Sequence, residues 1–128
     1  MNIQEFSKLT KLSAHTLRYY EKLGLLKQIS RNESGHRDFS EKDRIWVEFV
    51  KRLKDTNMPL NVILHYSQLR EQGVSTSLQR MEMLQQHAMQ LQQKILNEQN
   101  HLNMLKIKID DYSKSLLSLA DLDAFIKK

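Results

Sequence analysis

The segment Ser13-Ala14-His15-Thr16-Leu17-Arg18-Tyr19-Tyr20-Glu21 concentrates the side chains best equipped to recognise another molecule. On a helix, Leu17 faces inward, as do Leu23 and Leu25 beyond the helix end, while His15, Thr16, Arg18 and Tyr19 can project outward. Arg reads guanine through two hydrogen bonds, and Thr contacts the thymine methyl. Tyrosine hydroxyls reach phosphates. The set therefore suits a DNA major groove, and it also suits an ordinary surface helix with aromatic packing.

No grouping in the chain points to catalysis, so no enzyme activity is expected. There is no glycine-rich phosphate loop, nucleophile elbow or metalloprotease helix. Asp110 and Asp111 are adjacent and point apart on a helix. His87 and His101 share a heptad position two heptads apart, with no convergent ligands, so neither a metal nor a cofactor is expected. Met58, Met81, Met83, Met89 and Met104 read as packing residues. The absence of cysteine excludes disulfides, thiolate zinc sites and thiol-based sensing.

The elements that must position the segment are legible from caps and spacing. Asn2 with Glu5 reads as a capping box ahead of a short helix carrying Ile3, Phe6 and Leu9. Ser13 caps the next helix, Ala14 to about Lys22, which Gly24 stops. The three- or four-residue link between them has helix-turn-helix length. Leu25 to Phe39, with the polar stretch Arg31-Asn32-Glu33-Ser34-Gly35, predicts a small two-stranded wing that must lean on the helices. Ser40 with Asp43 opens a helix to about Lys54 bearing Ile45, Trp46, Phe49, Val50 and Leu53. Pro59 fits the first turn of a further helix that stops at Gly73, and Thr76 with Gln79 predicts another capping box.

From there a heptad seam runs to Leu116. Leu84, Ala88, Leu91, Ile95, Glu98, Leu102, Leu105, Ile109, Tyr112 and Leu116 follow alternating steps of four and three, and only Glu98 is polar. At 1.5 Å per residue the seam extends about 48 Å. The head is too short to cover such a stripe, so a second copy is expected to bury it, with Glu98 setting register. The seam alone leaves parallel and antiparallel pairing open. The predicted organisation is a winged helix-turn-helix head over 1–73, a coiled-coil helix over 74–118 and a short tail over 119–128.

Charge divides along the same boundary. Residues 1–58 carry 12 Lys and Arg against 8 Asp and Glu, and residues 59–128 carry 8 against 7. A basic head suits a polyanion partner, and such a bias also arises by chance in a soluble protein. The N-terminal residues lack the pattern of a signal peptide. No apolar run approaches the roughly 18 residues of a membrane span. A cytoplasmic location without a membrane partner is therefore expected.

The string Thr16-Leu17-Arg18-Tyr19-Tyr20-Glu21, followed by Gly24-Leu25-Leu26, Ser34-Gly35-His36-Arg37 and Phe39-Ser40, resembles the head of MerR-family regulators. Leu53 to Leu60, Gln72-Gly73, Met83 to His87 and Lys108 to Tyr112 are similar to its AdhR/NmlR-like branch, carrying the likeness to about residue 116. The resemblance implies a transcription regulator whose second helix enters the major groove while the wing tracks the backbone. It implies long helices paired antiparallel in a homodimer, and a palindromic operator in a long promoter spacer. Distortion of that spacer would serve RNA polymerase, an indirect partner. By position, Arg18 and Tyr19 would contact DNA from the recognition helix, Tyr20 and Arg37 would hold phosphate, and His15 and Thr16 would face base edges. Phe39 stands where the family often has Tyr. Arg52 stands where the aldehyde-responsive branch usually carries its sensor cysteine, which removes that chemistry. A small effector, if used, would lie near Arg52, Tyr66 and Met81. The competing reading is a coiled-coil interaction module whose basic head binds another protein.

Overall fold

Helix α1 (Ile3–Thr10) and helix α2 (Ala14–Leu23) are fixed by their caps. The Asn2 side chain accepts from the Glu5 backbone N–H at 2.8 Å, and Ser13 Oγ accepts from that of Thr16 at 3.0 Å. Lys11, in the left-handed region at φ 60°, turns the chain between the two helices. Gly24 ends α2 at φ 87°, and the N–H groups of Leu25 and Leu26 both return to the Tyr20 carbonyl.

The computed structural model describes residues 1–126. The chain divides into two units, Met1–Gln85 and the part from Gln86 onward. In the first, strands β1 (Ser30–Arg31) and β2 (Arg37–Asp38) form an antiparallel hairpin with Ser30 opposite Asp38 and Arg31 opposite Arg37. Asn32 Oδ1 gathers the turn by accepting from Ser34 and His36, while Gly35 takes a left-handed φ of 82°. Two residue pairs cannot hold a hairpin alone. The amino terminus reinforces this one: the Met1 ammonium donates to Asp38 Oδ1 and to the Phe39 carbonyl, and Phe39 N–H donates to the Met1 carbonyl.

Helix α3 (Glu41–Asp55) opens with the complete Ser40–Asp43 capping box, and α4 (Leu60–Glu71) follows Pro59. Pro59 is extended and caps α4 from outside, so it is not the first helical residue. Phe6 stacks on Phe39 at 4.3 Å, seating the wing base on α1. Around them Leu17, Leu25, Leu26, Val47, Val50, Leu53, Met58 and Ile63 form one buried cluster. The Trp46 indole N–H donates to the Leu25 carbonyl at 2.6 Å, tying α3 to the end of α2.

A 3-10 turn (Gly73–Thr76) joins α4 to the long helix α5 (Ser77–Ile126). Here the expected capping box fails. The Thr76 hydroxyl donates backward to the carbonyls of Leu69 and Gly73 and closes the preceding turn instead of capping α5. Helix α5 also continues to Ile126, through residues read from sequence as a tail. In the second unit its seam side chains Ile95, Leu102, Leu105, Ile109, Tyr112 and Leu116 are all exposed, without a covering surface in the single chain. Ala88 is exposed too, and Leu91 half-buried. In the first unit, Leu84 packs against the head cluster. Among the described residues no helix is long and apolar enough to cross a membrane.

Candidate nucleic-acid interface

The outward face of α2 is made by His15, Arg18 and Tyr19, all exposed. Tyr19 is 47% exposed, a large ring held at the surface. Thr16 is half-buried, and its Oγ1 lies 2.9 Å from Ser13 Oγ, so its hydroxyl is part of the helix cap. Tyr20 is different: it is 2% exposed, and its hydroxyl accepts from Lys54 Nζ at 3.0 Å. Its ring is therefore a packing element of the head, and only the hydroxyl end that Lys54 holds is left for the phosphate contact expected of it. The signal was present in the sequence, because Leu17 and Tyr20 are three apart and share the inward face.

Arg37 is held in place by an ion pair. Its Nε meets Glu21 Oε2 at 2.6 Å, with both side chains only 28% exposed, which fastens β2 to α2. Arg31 Nη1 donates to the Gly35 carbonyl across the wing turn. Together with Arg18 and His36, these arginines line one open groove of about 440 Å³ between the start of α1, α2 and the wing. No carboxylate lines it. The free N–H groups at the start of α1 add partial positive charge. The sequence reading selected Arg18 and Arg37 but missed Arg31, Asn32 and His36, because a hairpin and a helix must both form before these residues meet.

The groove has the chemistry of a phosphate-backbone track beside a projecting helix. Guanidinium groups and helix N-termini are the usual phosphate donors, while the side chains of α2 stand free to address base edges.

The proposed effector position separates into two parts. Arg52 and Tyr66 line a common cavity with Trp46, Phe49 and Arg80, whereas Met81 does not line it. At its edge Arg44 pairs with Glu41, whose carboxyl is held below its ordinary range by the guanidinium hydrogen bonds. Among the described residues no group of three His, Cys, Asp or Glu is placed to hold a metal ion.

Comparison with known proteins accords with this geometry. The model of the MerR family regulatory protein matches residues 2–39, which hold α1, α2 and the wing. The HTH-type transcriptional regulator AdhR of Bacillus subtilis is 38% identical over 76 residues, 59% of this chain and 54% of AdhR, so the match spans about half the length of that relative. A crystal structure described as a MerR family transcriptional regulator from Listeria monocytogenes is 34% identical. It superposes with a TM-score of 0.87, over 98% of this chain and 96% of that one. HiNmlR, a MerR family regulator lacking the sensor domain and solved bound to promoter DNA, is 29% identical, with a TM-score of 0.77 over 88% of this chain and 90% of its own.

Proposed function

We infer the function from what the chain is: it belongs to the MerR family, by 34% identity across nearly all of the Listeria protein and by the family model over its head. It is a transcription regulator of that family, and its partner is double-stranded promoter DNA. The observation that carries the reading is the carboxylate-free groove of Arg18, Arg31, His36 and Arg37 lying beside the exposed face of α2.

In this account α2 enters the major groove. Arg18 and Tyr19 make its principal contacts, with His15 toward base edges and Thr16 contributing its methyl. Arg31 and Arg37 hold the adjoining backbone from the wing. Two copies join along the α5 seam, antiparallel, so that two heads meet a palindromic site. Distorting the spacer of that site is how the regulator acts on RNA polymerase, without catalysis and in the cytoplasm. HiNmlR supports the reading, since a neighbour of like fold is bound to promoter DNA.

The test is binding to promoter duplexes over a range of salt. Specific binding that weakens steeply with salt is expected, each neutralised phosphate contributing about 0.9 to the logarithmic slope. Capture of a protein by the head, with no duplex binding at low salt, would favour the interaction-module reading.

A further inference from the structure

Apart from the groove beside α2, the head holds a cavity of about 430 Å³ between α3, α4 and the first turn of α5, wholly within residues 1–85. Its apolar wall is aromatic. Trp46 stacks on Tyr66 at 6.2 Å with the planes 10° apart, and Phe49 lies 5.7 Å from Tyr66. Its rim is cationic, with Glu48 the one carboxylate lining it.

The arginines of that rim differ in how far they are already satisfied. Arg44 is committed to Glu41. Arg70 lies over the Trp46 ring at 4.2 Å and has no carboxylate partner among the described residues. Arg80 donates to the Thr76 and Ser77 hydroxyls and the Gly73 carbonyl, all neutral. The Arg52 guanidinium is exposed and has no hydrogen-bond or ion-pair partner among the described residues. Three guanidinium groups without carboxylates thus surround an aromatic wall, in a cavity of the size that takes a small molecule.

A ligand complementary to that wall has a flat ring to pack against the half-buried Phe49 and the exposed margins of Trp46 and Tyr66, which are 7% and 8% exposed. Complementarity to the rim requires a planar anion, which arginine binds through two parallel hydrogen bonds. We propose that this cavity binds a small aromatic carboxylate, and that this anion is the effector of the regulator. The effector role rests on the regulator reading; the binding itself does not. Trp46 links the two, because its indole N–H holds the Leu25 carbonyl one residue past the Gly24 stop of α2. An anion against Trp46 and Arg70 therefore bears on the segment that seats the DNA-facing helix.

Trp46 is the only tryptophan in the chain and serves as the reporter. Benzoate and its uncharged counterpart benzamide are titrated into the full chain without DNA, and Trp46 emission is followed. The expected result is a saturable change with benzoate that is at least about tenfold weaker with benzamide and in Arg52→Gln. Arg52 is exposed, so that variant folds as the parent does. No saturable change with benzoate, or equal responses to the two compounds, overturns the proposal. An unchanged benzoate affinity in Arg52→Gln overturns the part given to that residue's charge. Because DNA is absent, failure here leaves the regulator reading intact, and failure of duplex binding leaves this result intact.

Discussion

Neighbouring residues of one type can belong to different parts of the molecule. Tyr19 is exposed on α2, whereas Tyr20 is buried and bonded to Lys54. Arg18→Ala is therefore expected to cost about 1–3 kcal/mol in operator binding while leaving the fold intact. Fluorescence anisotropy with the selected duplex, paired with circular dichroism, separates the two effects. Tyr20→Phe should do the reverse. It removes one hydrogen bond and costs about 0.5–1.5 kcal/mol in urea denaturation, with operator affinity unchanged. A loss of operator affinity without a loss of stability in Tyr20→Phe would assign its hydroxyl to the interface. Arg37 occupies an intermediate position, since the ion pair with Glu21 both anchors the wing and aims its guanidinium along the groove.

At the scale of elements, the strongest sequence signals were local and physical. Ser13, Gly24 and the Ser40–Asp43 pair mark helix ends because each satisfies backbone groups the helix leaves unpaired. Thr76 misled because a hydroxyl can serve the turn behind it as well as the helix ahead, and only the fold decides which. The paired strands were shorter than the Leu25–Phe39 stretch suggested, since Leu25 and Leu26 go to the core. The cationic groove was legible only in part. Arg18 and Arg37 stood out as motif residues, but Arg31 and His36 join them through hairpin geometry that no local pattern encodes.

Two substitutions test the caps. A Cβ at position 24 would meet the flexible Lys27 side chain at 3.0 Å, a contact that can relax, but the φ of 87° cannot. Gly24→Ala is expected to destabilise the head by about 1–2 kcal/mol, read as a lower denaturation midpoint. Ser40→Ala should cost about 0.5–2 kcal/mol by the same measurement, through loss of the α3 cap.

For the whole molecule, α5 carries an apolar seam that one chain leaves exposed. A second copy is the simplest cover, because the same heptad pattern on both helices is self-complementary. Leu105→Glu places a charge in that seam and is expected to shift the protein from two chains to one in sedimentation equilibrium. With it should go the affinity gained by engaging two half-sites at once. An unchanged dimer in Leu105→Glu would move the interface to another face of the helix. Glu98, inside the seam, already shows that one polar position is present in the pattern, so the added charge must be read against the parent protein.

The most direct test of the central claim is selection of genomic duplex fragments by the parent protein and by Arg18→Ala, at low and at physiological salt. The parent protein is expected to recover a palindrome lying between widely spaced promoter elements, and Arg18→Ala to lose or relax that preference with its oligomeric state unchanged. Recovery of unrelated fragments by both proteins, with binding that disappears at physiological salt, would contradict that claim.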